Sequence, residues 1–271
     1  MWQVVAKPVI AGGTDIPGKG RAAWDGPGPL IIGTVTSQTP ESLFTAPARP
    51  SSEMEAAGLC AVIFDWGGVL TPPIPGLVRA WAEADMIDWD SYITAVGPWL
   101  AAAYDPEGLP NPVHQLERGE CTAAEFERVL AARLLRTDGL PVVAEGILAR
   151  MLGIGGEPVT LMYDLIRELR GRGIKTALLS NSWGVTGYPR EDFPALFDAV
   201  VISGEVGMRK PESRIFQHTV GLLGLEHREC VFVDDIAANI AAAEALGMTG
   251  IHHSDPAVTA ERLAQLFPAR N

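Results

Sequence analysis

Cysteine is sparse in this chain and never paired: Cys60, Cys121 and Cys230 are far apart, odd in number and outside any CxxC spacing. That excludes a disulfide frame and a cysteine zinc site, and it fits buried thiols in a reducing compartment. Long apolar runs are also lacking. No stretch approaches the roughly 18–20 residues that cross a bilayer. Pro8 interrupts the apolar patch at the amino terminus, which has no charged-then-apolar signal layout. Cationic charge is short as well. Lysine occurs only as Lys7, Lys19, Lys175 and Lys210, and the formal net charge is −12, which argues against nucleic acid or an anionic membrane as partner. These absences describe a soluble, cytoplasmic protein.

What is present is enough apolar material for a sizeable core, 47% of 271 residues, in one large domain or a domain with an insert. Residues 1–57 differ from the rest. Met1 to Glu53 holds seven glycines and seven prolines without sustained periodicity, and Asp25-Gly26-Pro27-Gly28-Pro29 suits neither a helix nor a central strand. The expectation is a disordered leader, or a reading frame begun upstream of a true start at Met54.

From Leu59 onward, short apolar strands alternate with amphipathic helices. Strands are expected at Cys60–Phe64, Thr176–Leu179, Ala199–Ile202, Cys230–Val233 and near Gly250–His252. Helices are expected over Val159–Arg170, closed by Gly173, over Ala237–Leu246, stopped by Gly247, and after Asp255-Pro256 as N-cap and first helical residue. This alternation implies an α/β fold with a parallel sheet covered on both faces. Residues 73–155 interrupt it with helical stretches, including Thr122–Arg136 behind a Thr122…Glu125 capping box. An all-helical insert after the first strand stands over that strand's carboxyl end as a cap, and its tryptophans Trp81, Trp89 and Trp99 read as cap core.

Four short elements fall in order at strand ends. Asp65 follows Ala61-Val62-Ile63-Phe64 and precedes Trp66-Gly67-Gly68, a carboxylate beside glycine backbone. Ser180-Asn181 ends the second strand. Arg209-Lys210-Pro211 lies in a loop before a helix, and Asp234-Asp235 ends the fourth strand. Singly each is weak, because an acid at a strand end is more often a helix N-cap than a nucleophile. Adjacent acids, however, repel unless a cation or base joins them. Ligands of open parallel sheets bind at the strands' carboxyl ends, so the ordered set is more specific than its parts.

This set resembles the haloacid dehalogenase superfamily of hydrolases, chiefly its small-cap phosphatase-like branch, from about Leu59 to Pro268. Leu116-Glu117-Arg118-Gly119-Glu120, Ser203 to Pro211 and Val233 to Ile240 look like that branch; residues 1–57 have no counterpart. The resemblance implies a Rossmann-like three-layer parallel-sheet core at 58–72 and 156–271, and an all-helical cap at 73–155. It implies that Asp65 attacks phosphorus to give an aspartyl-phosphate. The N–H groups of Trp66 and Gly67 would hold phosphoryl oxygens, Ser180 would donate to the phosphate with Asn181 helping to position it, and Lys210 would offset the negative charge. Mg²⁺ would be held by Asp65, the Gly67 carbonyl and Asp235, with Asp234 as ligand or support.

The departure is Gly67, where phosphatases of this family carry a second aspartate as general acid and base, a role typically contributing roughly 10²–10⁴-fold. Three readings follow. Water or a cap residue replaces it, with His114, the cap's one histidine, as candidate; or favoured leaving groups need little protonation; or the activity differs. The family's dehalogenases also lack this acid, but they attack carbon without a metal and gain little from Asp234-Asp235. The phosphonate-cleaving branch needs a cap lysine, and none lies between Lys19 and Lys175. The expected function is Mg²⁺-dependent hydrolysis of a small phosphorylated metabolite, a phosphoric monoester. The alternatives are a metal-independent 2-haloacid dehalogenase and a catalytically impaired ligand-binding protein of the same fold.

Overall fold

Ala61–Phe64 (β1), buried at all four residues, is the middle strand of a five-stranded parallel sheet. Lys175–Ser180 (β2) and Ala199–Ile202 (β3) lie on one side, Cys230–Asp234 (β4) and Thr249–His252 (β5) on the other, in the order β3-β2-β1-β4-β5. The computed structural model describes residues 58–102, 111–153, 159–184 and 187–268. The expected leader at 1–57 and the start at Met54 lie outside them.

Alternate residues of each strand face opposite layers. Val62, Phe64, Leu178 and Val231 pack with Ile166 and Leu169, whereas Ala61, Ile63, Ala177 and Phe232 pack with Ile215 and Phe216. The first pair of helical residues belongs to Thr160–Gly171, the second to Ser213–Leu223. The result is an α/β/α sandwich. The strands and helices expected for this sandwich hold to within a residue or so, and Asp255 does cap Pro256–Leu266, accepting from the Ala257 N–H at 2.8 Å.

The chain adds β2 and β3 on one side of β1, then crosses to add β4 and β5 on the other, so the order reverses between β1 and β4. Parallel pairing sets Phe64 against Leu178 and Val233. One step further, Asp65 stands beside Asp234 at this switch point.

Between β1 and Thr160–Gly171 come five helices among the described residues: Ile74–Ala84 (α1), Trp89–Ala102 (α2), Pro112–Glu117 (α3), Ala123–Ala131 (α4) and Ile147–Leu152 (α5). They enclose their own core around Trp81, Tyr92, Phe126 and Met151, with Trp89 and Trp99 packed against it. The capping box at Thr122 and Glu125 is present, but the helix it starts ends at Ala131, short of the expected Arg136. Tertiary pairing overrides helix propensity there. The Leu135 carbonyl accepts from Asp88 and the Thr137 N–H donates to Met86, making an isolated antiparallel bridge between Ile87 and Arg136. No helix among the described residues is long and apolar enough to cross a membrane.

Candidate active site

Three carboxylates and one ammonium meet at the switch point. Lys210 lies in the loop between Ser203–Val206 and Ser213–Leu223, 1% exposed. Its Nζ donates to Asp65 Oδ1 at 2.6 Å, to Asp234 Oδ2 at 2.7 Å and to the Leu179 carbonyl at 3.0 Å. Asn181 anchors the loop. Its Nδ2 donates to the Lys210 carbonyl at 3.0 Å, and its Oδ1 accepts from the Lys210 N–H at 2.8 Å. The residue expected to help position phosphate therefore acts on the Lys210 backbone.

Asp65, 6% exposed, continues β1 by donating its N–H to the Val233 carbonyl at 2.9 Å. Its Oδ1 also accepts from the Trp66 N–H at 2.7 Å, so that N–H, expected to face phosphate, turns to the carboxylate. Among the described residues, the hydrogen bonds to this carboxylate fall on Oδ1. The turn beyond is closed on the Trp66 carbonyl, which accepts from Leu70 at 2.9 Å and Thr71 at 3.2 Å. Hydrogen bonds among the described residues do not use the Gly67 carbonyl.

Asp234 is fully buried, and both of its oxygens are engaged. Oδ1 accepts from the Ile236 N–H at 2.8 Å and from Asn239 Nδ2 at 3.0 Å, while Oδ2 takes Lys210. Asp235 is the opposite case: its Oδ1 is buried without a hydrogen-bond partner. Gly68, at φ +80°, allows this approach, since a Cβ there would lie 2.4 Å from Asp235 Oδ2. Gly67 is roomier, and a Cβ would meet only Ile74, at 3.5 Å.

One oxygen from each of Asp65, Asp234 and Asp235 lies within 4.8 Å of the others. One ammonium does not balance three carboxylates, and the acidities respond. Burial, then the Asp234 and Asp235 charges, push the Asp65 carboxyl up to about 8 against the pull of Lys210. Burial and Asp234 push Asp235 up to about 6. Burial alone would lower Lys210, but Asp234 and Asp65 outweigh it and hold the ammonium charged.

Ser180, 2% exposed, ends β2 on the same edge, with its Oγ 2.9 Å from the Tyr188 hydroxyl. Tyr188 has no signal in the sequence, because it sits in an irregular loop. Asn239 was also missed, although its place five residues beyond Asp234, in the first turn of a helix, is a readable one.

The helical insert meets the core beside Lys210. Glu117 Oε2 accepts from Arg209 Nε at 2.5 Å, both side chains 4% exposed, and Glu117 Oε1 accepts from Trp183 Nε1 at 3.2 Å. Arg118 Nε donates to Glu212 at 2.7 Å. Gly119 is pressed so closely to the core that a Cβ would lie 2.5 Å from the Gly204 carbonyl. His114 is buried on the same short helix as Glu117.

Comparison with known proteins agrees with this architecture. The family model for haloacid dehalogenase-like hydrolases matches residues 60–247. A sesquiterpene phosphatase of Aspergillus oryzae is 30% identical over 215 residues, 76% of this chain and 95% of that protein. Acyl-CoA dehydrogenase family member 10 of Mus musculus is 31% identical over 219 residues, 76% of this chain but only 19% of that protein. Among solved structures, a HAD-family enzyme of Bacteroides thetaiotaomicron, in complex with magnesium and inorganic phosphate, shares the fold. Its TM-score is 0.51 at 23% identity, over 73% of this chain and 95% of that one.

Proposed function

The chain belongs to the haloacid dehalogenase-like hydrolases, and from that premise we propose that it is a Mg²⁺-dependent phosphatase of a small phosphorylated molecule, with residues 73–155 as its cap. One observation carries the reading: three clustered carboxylates face one ammonium, and Asp235 Oδ1 is left buried and unpartnered. An all-oxygen set with surplus negative charge suits a hard divalent cation. Asp65, Asp235 and the Gly67 carbonyl would hold it. Asp234, its oxygens already engaged, supports Lys210 and the β4 turn. When bound, Mg²⁺ supplies charge neutralisation for the nucleophile and the phosphoryl oxygens.

The chain's own residues do the rest. Lys210 and the Trp66 N–H fix Asp65 through Oδ1, which leaves Oδ2 to attack phosphorus. The Asp65–phosphorus bond forms as the bond to the leaving oxygen breaks, and water later cleaves the aspartyl-phosphate. Lys210 holds positive charge beside the developing negative charge, and Ser180 donates to a phosphoryl oxygen. Gly67 offers the leaving oxygen no proton, so substrates with good leaving groups are favoured.

The test is a phosphate-release screen with Mg²⁺ or a chelator. It includes aryl, acyl and alkyl phosphates and, because of the Aspergillus oryzae relative, a sesquiterpene phosphate, run beside a 2-haloacid. Mg²⁺-dependent phosphate release, faster for aryl and acyl than for alkyl esters, is expected. Metal-independent halide release would make the protein a dehalogenase, and silence on every substrate a ligand-binding member of the fold.

A further inference from the structure

Ser180 has a single hydroxyl proton, and an anionic phosphoryl oxygen can only accept. For Ser180 to serve a phosphate, its proton must point there and its oxygen must accept from something else. Among the described residues, the group in reach is the Tyr188 hydroxyl, 2.9 Å from Ser180 Oγ, with either hydroxyl able to donate. Tyr188 is held in place from two sides. Its ring packs on Trp66 at 5.2 Å between centroids and on Phe193 at 6.2 Å. Trp66 directly follows Asp65, so the contact ties the tyrosine to the nucleophile's own turn.

We propose that Tyr188 is a positioning residue, donating its proton to Ser180 Oγ and so directing the Ser180 proton at the phosphoryl group. The proposal rests on the phosphatase reading above. Its chemistry is consistent. Burial, with the Asp65 charge adding to it, pushes the phenol up to about 12, so at neutral pH it is a protonated donor and not a base. Without it, a buried serine hydroxyl turns to whatever acceptor is nearest, and the bond to phosphate is lost or shared. Nothing is transferred in this step; two protons are only oriented.

The test measures binding of inorganic phosphate to the full-length protein in Mg²⁺ by titration calorimetry, for wild type, Tyr188→Phe, Ser180→Ala and the double variant. A lost charge-assisted hydrogen bond weakens binding by roughly tenfold to a hundredfold. Each single variant is expected to weaken binding about tenfold, and the double variant no more than Ser180→Ala alone, because both changes remove one unit. A purely structural tyrosine would shift the melting temperature and leave this coupling absent. Unchanged phosphate affinity in Tyr188→Phe, or fully multiplicative effects in the double variant, would overturn the proposal. If wild type binds phosphate but Ser180→Ala binds it equally well, the role of Ser180 fails first. If wild type does not bind phosphate at all, the phosphatase reading itself fails. Should Tyr188→Phe not fold, 3-fluorotyrosine at this position keeps the ring and strengthens the donor; tighter phosphate binding supports the proposal and unchanged binding sinks it.

Discussion

Arg209 and Lys210 are neighbours, both almost wholly buried, yet they belong to opposite electrostatic regimes. Arg209 meets one carboxylate, Glu117, across the seam between insert and core. Lys210 meets Asp65 and Asp234, with Asp235 close by. The seam is balanced one to one, and burial holds the Glu117 carboxyl above the usual carboxylate pKa against the pull of Arg209. The site is unbalanced, with surplus negative charge held in place by strand ends. Buried charge that is fully paired fastens two parts together; buried charge left in excess makes room for a ligand.

The largest expected effect separates the two regions. Asp65→Asn should lower phosphate release by roughly 10⁴-fold or more while leaving the melting temperature unchanged or higher, because it reduces the surplus. Turnover within tenfold of wild type would remove the covalent mechanism. Glu117→Gln should do the reverse. It leaves Arg209 buried without its counter-charge, which costs about 3–5 kcal/mol, read as a drop in thermal midpoint, with kcat of the folded fraction within a few-fold of wild type. Replacing both partners by methionine should recover most of that loss, and an unchanged midpoint in Glu117→Gln would break the contrast.

A third test probes the space inside the site. Gly67→Asp should be tolerated, since a Cβ there meets only the Ile74 side chain at 3.5 Å. It should raise turnover of alkyl phosphates roughly tenfold to a hundredfold and leave aryl phosphates nearly unaffected. No gain on alkyl esters would point to a proton donor already in place.

A last test concerns pH. Asp235 titrates at about 6 and Asp65 at about 8 in the folded chain, against about 3.9 unfolded. Between those values the folded state holds protons that the unfolded state has lost, so stability falls as pH rises. In chelator, the thermal midpoint should therefore decline from about pH 4 to pH 8. Asp235→Asn should flatten the slope, as should Mg²⁺. A midpoint that rises over this range, or an identical slope in Asp235→Asn, would show that the carboxylate surplus is not felt.

Much of the site was legible because its signals are local. Asp65 follows four apolar residues and precedes glycines, and Asp234-Asp235 ends another such run; strand-end chemistry needs only a few consecutive residues to be seen. Asn181 was read as a residue but not in its task, since its two hydrogen bonds to the Lys210 backbone span 29 positions. The helix from Thr122 was overextended because propensity continues past Ala131 while the backbone of residues 135–137 is claimed by Met86 and Asp88. The seam was invisible as a pair. Glu117 and Arg209 each lie in a stretch that resembles the family, but nothing local says that they meet across 92 residues.

The sequence by itself determined which residues end the buried strands, and therefore which carboxylates, hydroxyl and ammonium reach one edge of the sheet. Apolar runs, turn glycines and helix caps act over a few residues, so their outcome can be read along the chain. Only the tertiary structure decided how those groups share charge and protons: which oxygens of Asp234 are engaged, that Asp235 keeps one unpartnered, that Tyr188 meets Ser180, and that Arg209 turns from the site toward the insert. Those choices depend on register, burial and contacts between distant segments, where a few tenths of an ångström separate a satisfied polar group from an orphaned one.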